Sequence, residues 1–120
     1  MATVQECIEL CLQCATSCEI CTKEMLDLFI KGGGGEACCE AHVESACPKC
    51  CLDCIEICRL CAAALARESR YAKQICQLCA EVCEWCAAEC EKHSHDHCKR
   101  CAEDCRRCAE CCRACAETLN

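Results

Sequence analysis

The stretch Cys98-Lys99-Arg100-Cys101-Ala102-Glu103-Asp104-Cys105-Arg106-Arg107-Cys108-Ala109-Glu110-Cys111-Cys112-Arg113-Ala114-Cys115 decides the fold. Its cysteines step 3, 4, 3, 4 and 3 from Cys98 through Cys101, Cys105, Cys108 and Cys112 to Cys115. Such steps hold one stripe of an α-helix, the stripe that a bundle normally fills with Leu and Ile. Here the stripe is sulfur. The spacing recurs upstream. Cys7, Cys11, Cys14, Cys18 and Cys21 step 4, 3, 4, 3, and Cys76, Cys79, Cys83, Cys86 and Cys90 step 3, 4, 3, 4. Cys47, Cys50, Cys51, Cys54, Cys58 and Cys61 add a fourth series.

Outward from these stripes, the chain reads as four helical segments. The first runs from about Val4 to Ile30 and ends at the Gly32–Gly35 breaker. The second covers about 36–66, with Pro48 inside it. Pro48 removes a backbone donor, so the segment is either kinked near Ala46 or split, with a short helix over 36–45 ahead of the main one. The third covers about 69–92, with Ser69 as its N-cap, and the fourth about 96–118, with Ser94 or Asp96 as its cap. Good helix formers fill the gaps between cysteines, and nothing alternates with period two, so strands are not expected. The predicted fold class is all-α: an antiparallel up-down-up-down four-helix bundle with a cysteine-lined core. Residues 1–120 form one domain in this reading. The Gly32–Gly35 loop and the His93-Ser94-His95-Asp96-His97 loop then lie at the same end.

Composition narrows the function. Of 120 residues 25 are cysteine, while Val, Ile, Leu, Met, Phe, Trp and Tyr together number 23, beside 17 Ala. That is a thin supply of large core side chains, though a free thiol also serves as a small hydrophobe. A net charge of -7, with basic residues dispersed and one each of Trp, Tyr and Phe, argues against a nucleic-acid partner. The start, Met1-Ala2-Thr3-Val4-Gln5-Glu6, has neither the basic nor the apolar region of a secretory leader, and no run is long enough to span a membrane. A reducing cytoplasmic setting, where thiols stay thiols, is the expected location. Disulfides along one helix would cross-link nothing, and the odd cysteine total leaves one over.

Stripe positions one turn apart lie about 5–6 Å apart at Cβ, so neighbouring thiolates converge on a common ion. Soft thiolates select Cu(I), Zn(II) or iron–sulfur clusters. Zinc favours isolated closed tetrahedra and iron–sulfur clusters favour loops, whereas Cu(I) accepts two or three thiolates at every turn of a ladder. Thiolates that bridge two Cu(I) ions also bring sulfur and metal toward charge parity in a dry core. At one to two thiols per ion the chain would hold roughly 12 to 25 Cu(I).

Cys38, Cys50 and Cys111 stand beside Cys39, Cys51 and Cys112, about 100° around the helix, and would bind from the flank. His42, His93, His95 and His97 are borderline ligands that mark an entrance, passing metal to Cys21, Cys90 and Cys98. Met25 is read as core packing beside Leu28, with a soft thioether to offer. Trp85 and Tyr71 are expected on the outside. Ile8, Leu12, Leu52, Ile55 and Leu60 fall off the sulfur stripe and would pack on a neighbouring helix or another subunit.

With these stripes on the page, the chain resembles the bacterial copper storage proteins, specifically their cytosolic branch. The resemblance rests on Cys7-x3-Cys11-x2-Cys14-x3-Cys18-x2-Cys21, on Cys76-x2-Cys79-x3-Cys83-x2-Cys86-x3-Cys90, and on Cys90-Glu91-Lys92-His93-Ser94-His95-Asp96-His97-Cys98 running into the last ladder. It implies a bundle that stores and detoxifies many Cu(I) ions, a homotetramer, copper admitted at the histidine end, and copper chaperones or efflux proteins as partners. The second segment and the Cys111–Cys115 region are richer in cysteine than that pattern. No catalytic constellation is evident, so no enzymatic activity is expected. Two other readings compete: a general Zn or Cd thiol buffer, and a thiol redox protein built on one low-pKa cysteine.

Overall fold

The computed structural model describes residues 3–32 and 47–120. Among them stand four α-helices and no strand: α1 Val4–Gly32, α2 Cys47–Ala66, α3 Ala72–Cys90 and α4 Asp96–Thr118. The expected short helix over 36–45, and with it Cys38, Cys39 and His42, lies outside the described residues.

Local chemistry sets each boundary. At the head of α1, the Glu6 N–H donates to Thr3 Oγ1 at 3.1 Å and the Thr3 N–H donates back to the Glu6 carboxylate at 3.3 Å. This is a reciprocal capping box. Pro48 falls in the first turn of α2, where its missing N–H costs no helical bond. The end of α2 closes through two bonds: Ser69 N–H to the Ala64 carbonyl at 2.9 Å and Glu68 N–H to the Leu65 carbonyl at 3.2 Å. That crossed pair is a Schellman closure, and it places Glu68 in the left-handed region at φ 54°.

Ser69 therefore does not cap α3. It sits in the turn, where its hydroxyl oxygen accepts the Tyr71 N–H at 3.2 Å, and the helix begins at Ala72 with Tyr71 at the N-cap. The cap of α4 is likewise His95, in extended backbone, rather than Ser94 or Asp96. Its carbonyl accepts the N–H groups of Cys98 and Lys99, each at 3.0 Å, while Asp96 places a negative charge in the first turn.

The helices close a square. α1 packs on α2 and α4, and α3 packs on the same two. Neighbours run antiparallel, since partners on α1 climb as those on α4 descend: Cys7 meets Cys112, Cys14 meets Cys105, and Cys21 meets His97. The body measures 50 × 20 × 18 Å. Its buried interior is cysteine and alanine, with Met25, Ile55 and Leu65 among the few large side chains. Leu12, Leu52 and Leu60 are roughly half exposed, as are Trp85 and Tyr71, whereas Ile55 is buried. α3 and α4 carry buried alanines at seven-residue steps, Ala80 and Ala87 on one and Ala102, Ala109 and Ala116 on the other. Side chains this small permit close backbone approach along that seam.

Candidate metal centre

Each helix contributes one cysteine to each level of the axis. Starting one level in from the histidines, Cys18 lies 3.5 Å from Cys101 and 4.0 Å from Cys86, with Cys51 3.8 Å from Cys86. The next level joins Cys14 to Cys54 and to Cys105, each at 3.6 Å, and Cys54 to Cys83 at 3.6 Å. Below it, Cys58 meets Cys79 at 3.8 Å and Cys108 at 4.0 Å, and Cys108 meets Cys11 at 3.7 Å. The last complete level pairs Cys7 with Cys112 and Cys61 with Cys76, each at 3.6 Å.

Levels are joined too. Cys54, Cys58 and Cys83 form a triangle with edges of 3.7, 3.6 and 3.6 Å. Cys108 and Cys112, one turn apart, are 3.9 Å apart. All the described cysteines are buried. With metal–sulfur bonds of about 2.3 Å, a trigonal site has edges of about 4.0 Å and a tetrahedral one about 3.8 Å. The observed spacings accept either with small movements. Groups of four whose sulfurs all lie within 4.8 Å of one another include Cys14, Cys18, Cys54 and Cys105, and Cys18, Cys86, Cys101 and Cys105. These two groups share Cys18 and Cys105, so one thiolate is in reach of more than one ion.

The two ends differ from the middle. At one end Cys47 meets Cys90 at 3.6 Å, and His97 Nδ1 lies 3.4 Å from both Cys21 Sγ and Cys98 Sγ. The rings of His95 and His97 stack with centroids 5.2 Å apart. His93 is buried, as is Met25 one turn beyond Cys21. A cavity lined by Ser17, Ile20, Glu24, His95, Asp96, His97 and Arg100 opens beside them. The thiol of Cys50 donates to the Cys47 carbonyl at 3.0 Å, so this flank cysteine is buried but engaged with backbone. At the other end, Cys115 and Cys111 exceed the four-per-level count.

Electrostatics follow from dryness and proton sharing. Burial pushes the Cys111 and Cys115 thiols up to about 12. Inside the ladder, neighbours shift in opposite senses: hydrogen bonding with Cys105 lowers Cys101, and the same bond raises Cys105. A metal-free axis is therefore a stack of cysteines sharing protons between neighbours, and metal uptake must expel those protons.

Sequence reasoning missed one buried polar group. Asp104 on α4 accepts hydrogen bonds from the Ser17 hydroxyl and from the Gln13 amide, the latter at 3.4 Å, both on α1. Its signal was present as a seven-residue step from His97 to Asp104 to Cys111.

Reduced thiols ranked four to a level along a helical axis define a metal-storing bundle, not a single-site metalloprotein. The chain belongs to the copper storage protein family, whose model matches residues 1–117. It is 38% identical over 77 residues to the cysteine-rich protein YhjQ of Bacillus subtilis (strain 168), a match covering 64% of this chain and 62% of that relative, less than two thirds of its length. Among solved structures it is similar to the Cu(I)-bound copper storage protein BsCsp3, with a TM-score of 0.81 and 38% identity over 93% of this chain and 96% of that one. It is also similar to a cytosolic copper storage protein from Streptomyces lividans carrying five coppers, with a TM-score of 0.81 and 32% identity over 98% and 94% of the two chains.

Proposed function

We propose that this chain, as one domain spanning residues 1–120, stores Cu(I) in the reducing cytoplasm and so keeps a redox-active ion away from oxygen and water. The observation that carries the reading is the ladder itself: one thiol per helix per level, with sulfurs 3.5–4.0 Å apart within and between levels. A site for one structural ion needs about four ligands, whereas this axis supplies ligands along its whole length. The ligands are the stripe cysteines from Cys7 to Cys115, with Cys50 and Cys111 binding from the flank, together with Cys38, Cys39 and His42. Copper enters past His93, His95 and His97, where an imidazole nitrogen already touches two ladder sulfurs.

The role is binding, not catalysis. The half-exposed Leu12, Leu52 and Leu60 belong to the faces that would meet other copies in a homotetramer. Copper chaperones or efflux proteins are the natural donors and acceptors. No described helix is long and apolar enough to cross a membrane. Anaerobic Cu(I) titration, followed by gel filtration and elemental analysis, tests the reading. Uptake of about 12 or more Cu(I) per chain, retained against Zn(II) competition, is the expected result. Saturation at one or two ions, or displacement of Cu(I) by Zn(II), would sink it.

A further inference from the structure

Two arginines line the seam between α1 and α4, and they are used differently. Arg107 is held 3.8 Å from Asp104, the carboxylate that clasps α1. Arg100, seven residues nearer the histidines, makes no ion pair among the described residues. Its side chain lines the cavity beside the histidines and also the next cavity along the seam, with Ile20 common to both. The first cavity adds two carboxylates, from Glu24 and Asp96, and the imidazoles of His95 and His97. Cation, anions and an apolar side chain thus border one space.

That space holds about 430 Å³, within the range of roughly 300–1,000 Å³ that takes a small organic molecule. It is also one imidazole away from the ladder. The ring of His97 lines the cavity, and its Nδ1 lies 3.4 Å from the sulfurs of both Cys21 and Cys98. A bare Cu(I) ion has no use for Arg100, because a guanidinium repels a cation. The same guanidinium suits a carboxylate, which it can hold by two parallel hydrogen bonds. The copper that arrives here therefore comes with an anionic carrier. In a reducing cytoplasm soft Cu(I) travels on thiolates, and small thiols built from cysteine carry carboxylates and an ammonium group.

We propose that this cavity is a docking site for the Cu(I) complex of a small zwitterionic thiol, with Arg100 holding a carboxylate of the carrier and Glu24 or Asp96 its ammonium. The site adds a small-molecule donor to the protein donors named above, and it rests on the storage reading. The transfer is ligand substitution. A Cu(I) ion arrives bound by two carrier thiolates. Bonds form from Cu(I) to the sulfurs of Cys21 and Cys98, and the two carrier bonds break. The protons lost by the two cysteines go to the departing thiolates, which leave as thiols. The complex carries one negative charge before and after, copper remains Cu(I), and nothing is oxidised or reduced.

The test uses the full-length metal-free chain under anaerobic conditions, with initial uptake read by rapid desalting and elemental analysis. Two donors are compared: Cu(I)–glutathione, and Cu(I)–2-mercaptoethanol, whose carrier has no charged group. Uptake from Cu(I)–glutathione should saturate with donor concentration, and S-methylglutathione, which keeps the charges but cannot bind copper as a thiolate, should compete with it. Arg100→Gln should raise the half-saturating concentration about fivefold or more, with Arg100→Lys intermediate. Glu24→Gln should act in the same direction through the ammonium. Uptake from Cu(I)–2-mercaptoethanol and the final copper content should be unchanged in all three variants. A rate linear in Cu(I)–glutathione, or the same factor of change for both donors, would overturn the docking site and leave storage intact. A chain that takes up Cu(I) from neither donor would overturn both.

Discussion

Along the axis, sulfur meets sulfur at van der Waals distance with protons between; around the axis, the chain is held by ordinary means. A capping box starts α1, a Schellman closure ends α2, alanines seal the α3–α4 seam, and Asp104 clasps α1 to α4. Arg113 on α4 adds a two-pronged ion pair to Glu84 on α3, with both contacts at 2.7 Å. The contrast teaches that the two regions do different jobs. The periphery gives the metal-free chain its shape. The axis contributes its strongest cohesion only when metal replaces the protons, because a thiol is a small hydrophobe with a weak donor while a bridging metal ties several helices together. Each region should therefore respond to copper in its own way.

The largest expected effect is on the axis. Stripping copper from the loaded chain with an anaerobic chelator should lower the midpoint of thermal unfolding by about 20 °C or more, since ions that bind only the folded ladder stabilise it by mass action. Calorimetry on both forms checks this. Equal midpoints would erase the division between axis and periphery.

Next comes pH. Burial raises Cys111 and Cys115 to about 12 in the folded chain, from about 9 when unfolded. A raised thiol contributes its full stability below pH 9, where both states hold the proton. That contribution is lost as pH climbs from about 9 to about 12, because the unfolded chain ionises first. The metal-free chain should thus lose stability steadily above pH 9. The loaded chain should not, as its ligands have already given up their protons. Denaturant titrations at pH 8 and pH 10.5 on both forms measure the difference, and parallel losses would contradict it.

Much of this division was legible in the sequence. The 3-4 spacing placed the sulfurs on the axis, and the boundaries of α4 matched expectation because cysteine continues through its full length. Other features were harder to read, for physical reasons. Ser69 looks like a cap, yet the closure of α2 takes its backbone and moves the start of α3 to Ala72. Ser94 and Asp96 look like caps too, but the carbonyl of His95 takes that place. Cys50 and Cys111 sit one residue from stripe positions. Spacing says only that they point about 100° away; the structure shows the Cys50 thiol turned to the Cys47 carbonyl of its own helix and Cys111 buried beyond the four-per-level ladder. Asp104 was harder to read: its seven-residue step from His97 is a faint signal, and a single acidic residue in a charged helix reads as solvated surface until Ser17 and Gln13 are seen to cover it.

Asp104 gives the first test of the periphery. Asp104→Ala removes the acceptor shared by Ser17 and Gln13 and leaves a buried hydroxyl without it. A cost of about 1–3 kcal/mol is expected. The cost should be the same with and without copper, because the clasp lies outside the ladder. Paired denaturant curves would show it, and a cost confined to one form would mean that the clasp belongs to the axis after all.

The smallest effect should come from the turn farthest from any sulfur chemistry. Glu68 closes α2 with a left-handed backbone at φ 54°, where a Cβ crowds the adjoining carbonyl and glycine is the usual choice. Its N–H bond to Leu65 and the neighbouring Ser69 bond to Ala64 are backbone bonds, so they survive loss of the side chain. Glu68→Gly should therefore relieve about 1 kcal/mol of strain, offset in part by the extra freedom that glycine gives the unfolded chain. A rise of a few tenths of a kcal/mol in both the metal-free and the loaded chain, at unchanged copper capacity, is the expected outcome. A loss of stability would show that the left-handed turn depends on the glutamate side chain, and a change in capacity would show that the turn reaches the ladder.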